Sequence, residues 1–199
     1  MTCRLVAAAL AAGFVTAFTS AEATQTLGAQ EPVSAPISAA HGSNPYWEKQ
    51  TAPDCVEQSV RVALDQVKHK AVVSETRIDA YAQRIGIYDP SSGTTDDRWT
   101  RLISHYGGRY KGPRSTSRAS LVAELAAGDS VIAIVNAQML WFGAPLNPAN
   151  HAVVVEAVAG NTVTLSDGGV PWGNGEIVSW ARFSRAWATS GWSGTAVTS

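Results

Sequence analysis

The sequence predicts an α+β domain. Helical apolar periodicity occupies the first part of the chain, β-rich apolar runs occupy the second, and a Gly-Asn turn joins two of those runs.

The elements follow in order. Residues 55–70 carry Val60, Ala63, Leu64 and Val67 at helical spacing, with Pro53 and Asp54 at the turn and N-cap positions ahead of them. Ser74 to Ile85 is a second helix with an Ile78, Ala82 and Ile85 stripe, closed by Gly86. Thr95 to Tyr106 is a third, through Trp99, Leu102, Ile103 and Tyr106, and Ser117 to Ala127 a fourth, ended by Gly128. The period then changes. Val131 to Val135 reads as a buried strand, and His151 to Val158 with Thr162 to Asp167 as a hairpin. A Gly-rich loop from Gly168 to Gly175 follows, then a short strand at Ile177 and Val178, a last helix from Trp180 to Thr189, and an edge strand at Thr195 to Val197.

The chain of 199 residues suits one domain behind a short leader, and 45% hydrophobic residues suffice for a sizeable core. A formal net charge of -1 leaves no electrostatic footprint for nucleic acid or an anionic membrane. Arg4, the apolar stretch Leu5 to Phe18 and the Ala21-Glu22-Ala23 cleavage pattern read as an export signal over residues 1–23. Residues 24–44, rich in Ala, Ser, Gln and Pro, read as a flexible linker, and residues 45–199 as the domain. No later stretch resembles a transmembrane helix, so the expected destination is the cell envelope or the medium. Loss of Cys3 with the signal leaves Cys55 as the single cysteine, and an unpaired thiol in an exported protein points to reactivity.

Cys55 falls at a helix start, where free N–H groups and a partial positive charge favour thiolate, the nucleophilic form. Asp54 opposes this unless its carboxylate turns away. Gln50, in the preceding loop, can offer a side-chain amide to an oxyanion, beside the backbone N–H of Cys55. His151 opens a strand and is the candidate base. His41, His69 and His105 sit in the linker, near a helix end among lysines and within an amphipathic helix, where structural or solvated roles fit better. Asp167 ends the next strand. A three-residue loop of Ala159, Gly160 and Asn161 would pair Val158 with Thr162, with Asn161 left-handed. That register sets Asp167 opposite Val153 and diagonal to His151, and gathers Val153, Val155, Val163 and Leu165 on one apolar face. A two-residue loop would put Asp167 on the wrong face. The four groups together describe acyl transfer through a thioester, with Asp167 orienting the imidazole.

At these residues the chain resembles the C39-like branch of the papain-like cysteine peptidases, particularly secreted actinobacterial members. The matching segments are Tyr46-Trp47-Glu48-Lys49-Gln50 leading to Asp54-Cys55, Asn150-His151-Ala152-Val153-Val154-Val155, Val163 to Gly169, and Phe183-Ser184-Arg185-Ala186-Trp187. The resemblance implies a papain-like fold and a Cys55-His151-Asp167 triad with Gln50 as oxyanion donor. It also implies a peptide or protein substrate, or a cell-wall peptide. His and Asp can ligate zinc, but the sequence has no clustered ligand spacing, so no metal or cofactor is expected. Two departures stand out. Val56 follows the nucleophile where the family usually has Gly, and Gly168 follows Asp167 where it usually has Pro. Family members with known roles cut leader peptides after paired glycines, often fused to transporters. This chain carries no transporter region, so that role does not transfer.

Two other readings compete. A CHAP or NlpC/P60 cell-wall hydrolase also pairs a helix-start Cys with a strand-start His. A non-catalytic binding module on the same fold would use Trp172, Trp180, Trp187 and Trp192 to line a groove, although core packing is the ordinary use of such residues. Pro145 and Pro148 mark a further rim loop.

Overall fold

The structure is a computed structural model that describes residues 44–94, 97–115, 117–144 and 150–199. The export signal, Cys3, His41, nearly all of the linker and the Pro145 to Pro148 rim lie outside the described residues.

Helix α1 (Cys55–Lys68) is followed by α2 (Glu75–Arg84) and a small hairpin of β1 (Tyr88–Asp89) and β2 (Gly93–Thr94). A 3-10 turn at Asp97–Trp99 leads into α3 (Thr100–His105), so the third helix is shorter than its periodicity suggested. Then come β3 (Arg109–Ser115), α4 (Arg118–Ala126), β4 (Ser130–Val135) and α5 (Ala137–Phe142). The chain continues with β5 (His151–Ala159), β6 (Thr162–Ser166), β7 (Asn174–Ser179), α6 (Trp180–Ala188) and β8 (Ser193–Thr198). The main sheet is antiparallel, in the order β3-β8-β4-β5-β6-β7.

The sheet is covered on both faces. Ile132, Ala152, Val154 and Val197 pack with α1, α2 and α3, while Val131, Ala133, Val135, Val153, Val155, Val163 and Leu165 pack with α4, α5 and α6. Burial on two faces is why β4 and β5 read as unbroken apolar runs instead of alternating ones. Helix α1 lies between the sheet and the other early helices. It therefore buries Glu57, Gln58, Arg61 and Asp65 as well as its apolar stripe. These groups need partners. Arg61 takes Glu48 at 3.2 Å and Asp65 at 3.4 Å, and Gln58 donates to the Glu48 carbonyl at 2.7 Å.

Three expectations are corrected. The last strand is not an edge: β8 hydrogen-bonds to both β3 and β4, and the edges are β3 and β7. Asn44 is no linker residue. It is buried, and its amide donates to Glu156 and Ser166, each at 2.8 Å. The hairpin turn is the two-residue kind: Ala159 pairs with Thr162 across Gly160 and Asn161, and Gly160 takes the left-handed conformation (φ 55°) in place of Asn161. Asp167 still reaches the intended face, because a β-bulge at Glu156 moves the register by one residue. Beyond it Val155 pairs with Leu165 and Val154 with Ser166. The bulge is held by its own carboxylate, which accepts from Asn44, Gln66 (2.6 Å) and Ser166 (2.5 Å).

Candidate active site

β5 starts at His151 and β6 ends just before Asp167, so both side chains stand at one end of the sheet. His151 Nε2 meets Asp167 Oδ1 at 2.7 Å, with both residues buried. With Nε2 engaged, the other ring nitrogen, Nδ1, is left for a second partner, and the half-buried Cys55 at the start of α1 lies near enough to this imidazole to raise its pKa. Cys55, His151 and Asp167 are thus brought together from three separate segments.

Asp167 is also held by groups that its sequence context did not reveal. Trp141 Nε1 of α5 donates to Oδ2 at 3.0 Å, and the Gly169 N–H donates to Oδ1 at 2.7 Å. The Trp141 ring packs edge-on to His151, with centroids 5.2 Å apart. Helix α5 is too short to announce itself by periodicity, so nothing in the sequence pointed to Trp141. Its N-cap is more legible: Asn136 Oδ1 accepts from Met139 N at 2.8 Å.

Burial alone would push the His151 pKa down, but the Asp167 carboxylate, its hydrogen bond and the Cys55 contact hold it well above the ordinary imidazole value. For Asp167, burial pushes upward and is outweighed by the charge of His151 and the bonds from His151, Trp141 and Gly169, so its pKa falls below the usual carboxylate range. The pair is an imidazolium and a carboxylate at neutral pH.

Gln50 is laid against the Asp167 to Gly168 segment, its N–H donating to the Gly168 carbonyl at 3.0 Å. Its side-chain Nε2 donates to Ala52 O at 2.9 Å, and Oε1 is buried without a partner. Val56 does not crowd the cleft, because it is packed into the core beneath α1. Gly168 also has a local cause: a Cβ there would lie 1.5 Å from Gln58 Oε1. At Gly169 a Cβ would stand 2.9 Å from His151 Cε1 and 3.1 Å from Asp167 Oδ1, closer than such contacts allow without displacement. Gly169→Ala is therefore expected to displace the imidazole and slow Cys55 alkylation by about tenfold, an effect of the size that small misplacements of reacting groups produce. Alkylation at the wild-type rate in a folded variant contradicts this packing.

Asp54 occupies the N-cap position of α1 without capping it. Its buried carboxyl lies with those of Glu75 and Asp79, whose oxygens come within 4.8 Å of one another. This is the one group with metal-ligand geometry among the described residues, and its members are drawn from distant positions that no spacing motif connects. Burial and the charges of Asp79 and Glu75 push the Asp54 pKa up to about 8. The neighbouring Glu57 is pushed up to about 7 chiefly by burial. Asp79 is raised to about 6 by burial and Glu75. Asp54 thus favours its neutral form near pH 7, which lessens the negative charge beside Cys55.

The tryptophans divide. Trp187 is fully buried, packed on Phe183 (5.3 Å) and Trp192 (5.4 Å), and Trp180 lies tilted against Phe183 (5.9 Å). These rings pack the core under α6, while Trp172, in the loop after Asp167, is 45% exposed.

No family model matches the chain. It is 29% identical to uncharacterized proteins of Mycobacterium tuberculosis and Mycobacterium bovis, across 91% of this chain and 94% of theirs. Among solved structures, a C39-like peptidase candidate from Bacillus anthracis superposes with a TM-score of 0.55 at 16% identity, covering 79% of this chain and 95% of that one. A double-glycine-motif protease from an AMS/PCAT transporter, in complex with its leader peptide, gives 0.48 at 16% identity over 80% and 94%. The sheet order, the helices on its faces and the match across nearly all of the Bacillus anthracis protein establish that this chain has the mixed helix and antiparallel-sheet fold of the C39-like peptidases.

Proposed function

We propose that this chain is an exported cysteine peptidase in which Cys55 is the nucleophile, His151 its proton shuttle and Asp167 the group that orients the imidazole. The observation that carries the reading is the His151 ring held through Nε2 by a buried carboxylate, with Cys55 near enough to raise its pKa.

The chemistry runs as follows. The Cys55 sulfur attacks an amide carbonyl, and the imidazolium gives its proton to the leaving amine as the C–N bond breaks. A thioester remains. Water then attacks it, losing a proton to His151, and the acid departs as the thiolate re-forms. The oxyanion of each step is received by the Cys55 N–H, which the helix leaves free, and by the Gln50 amide, whose second proton is not taken by Ala52. Phe142, 59% exposed, follows Trp141, and Trp172, 45% exposed, stands five residues after Asp167; both supply apolar surface for a peptide. An N-terminal signal over residues 1–23 would place this activity outside the cytoplasm.

The test is mass spectrometry of the mature protein after brief, limiting iodoacetamide treatment at graded pH. Wild-type Cys55 is expected to alkylate faster in the native protein than after unfolding, at each pH. His151→Ala is expected to slow it by about tenfold or more. A Cys55 that is inert, or indifferent to His151, removes the peptidase reading and favours a binding module. Peptide-library and peptidoglycan digests, with Cys55→Ala as control, then separate protein from cell-wall amides.

A further inference from the structure

The triad leaves one buried acid unexplained. Glu176 of β7 is fully buried, and neither of its carboxyl oxygens has a hydrogen-bond partner among the described residues. Its cross-strand neighbour in β6 is Leu165, two residues before Asp167, so Glu176 and Asp167 share a face of the sheet. The charged or titratable groups that act on Glu176 are Asp167, His151 at the start of β5, and Arg182 of α6.

A carboxylate offers about four acceptor positions. At Asp167 three are filled: His151 and Gly169 share Oδ1, and Trp141 takes one position on Oδ2. One position on Oδ2 remains. Glu176, for its part, cannot stay ionised in a buried site with no donor to it, because desolvating a bare carboxylate costs far more than protonating it. As a neutral acid it carries an O–H that needs an acceptor, and of the three groups named only Asp167 can accept.

Building on the triad reading, we propose that Glu176 is a positioning residue that, as a neutral carboxylic acid, donates its O–H to the open position on the Asp167 carboxylate. Neither Glu176 oxygen is bonded in this conformation, so the proposed bond requires the Glu176 side chain to turn toward Asp167. Burial, followed by the charge of Asp167 and the interaction with it, holds the Glu176 pKa up to about 8, against the opposing pull of His151 and Arg182. The acid acts through Asp167. A fourth bond fixes the carboxylate plane against the imidazole, and ionisation of Glu176 at alkaline pH breaks that bond and adds a second negative charge behind it.

Infrared difference spectroscopy of the whole mature protein tests this directly. The wild type minus Glu176→Gln should show the carbonyl band of a protonated carboxylic acid at pH 7, titrating away near pH 8. In Asp167→Asn the same band should vanish at lower pH, because the charge that raises Glu176 is gone. Alkylation of Cys55 supplies the second readout. Glu176→Gln, which still donates and cannot ionise, should match wild type at pH 6 to 7 and lose the alkaline change. Glu176→Ala should be slower by about fivefold, the rate equivalent of one hydrogen bond. The proposal is overturned if no acid band is lost in Glu176→Gln, if Asp167→Asn leaves the midpoint in place, or if the Gln variant is as slow as the Ala variant. Indifference of Cys55 to His151→Ala would instead strike the triad reading, and the infrared pair would still decide the Glu176 to Asp167 bond.

Discussion

Asp167→Ala is expected to destabilise the domain by about 3–5 kcal/mol, the cost of removing one member of a buried ion pair. The carboxylate is fully buried and accepts from His151, Trp141 and Gly169. Its loss leaves an indole N–H, a backbone N–H and an imidazolium edge without partners in a place water does not reach, and each such group carries its own penalty. Asp167→Asn keeps one acceptor oxygen and the volume, so it should lose less than half as much. Urea melts of the two variants at pH 6 measure the difference. If both lie within about 1 kcal/mol of wild type, the carboxylate is not bonded as described, and the orientation assigned to His151 loses its basis.

The second large effect is a loss of stability toward alkaline pH. Asp54 and Glu176 are pushed up to about 8, Glu57 to about 7 and Asp79 to about 6, all chiefly by burial. Raised carboxyls reverse the usual sign. Above about pH 4 the unfolded chain has released these protons while the folded chain keeps them, so the folded state binds more protons and stability falls as pH rises. His151 adds in the same direction. Its folded pKa lies well above its unfolded value, so its contribution is complete below about pH 6.5 and fades as pH climbs through the folded value. Asp167 works oppositely: its depressed pKa gives stability above about pH 4 that is lost below it. The maximum should therefore fall near pH 4, where Asp167 is already ionised and the buried acids have not begun to cost stability. From there to pH 9 the melting temperature should fall by more than about 10 °C, because each pKa unit of elevation is a differential of about 1.4 kcal/mol. Asp54→Asn should flatten the curve. A melting temperature constant from pH 5 to 9 would mean that these carboxyls are solvated and ordinary.

How far the sequence was legible depends on the range over which each feature is encoded. Helix starts and strand runs are local, so α1, α2, α4, β4, β5, β6 and α6 could be read from spacing, caps and turn residues. So could the meeting of His151 with Asp167, because one hairpin holds both. The turn was misjudged for a physical reason. Either a three-residue loop or a bulge corrects the face by one residue, and only Asn44, Gln66 and Ser166 around Glu156, contributed from afar, decide between them. Trp141 and Glu176 reach Asp167 through tertiary packing, and the Asp54 group joins two helices. Nothing within a few residues of any of them encodes the partner. β3 and the true place of β8 were missed because short runs such as Ser193 to Thr198 acquire strand character only from the neighbours they join.

The position of β8 has a consequence for how the molecule is made. This segment lies between β3 and β4, and until it arrives β3 has no partner in the sheet and β4 has an open edge. A nascent chain that has released everything up to α6 therefore holds its triad residues on a sheet still missing an interior member. Closure waits for residues 193–198, whose contacts with β3 span a large sequence separation and carry the entropic cost of such long loops. Synthesis would then outrun folding. The side chains carried by β4, β5 and β6 are therefore fixed in a complete sheet only after this last described strand has joined it.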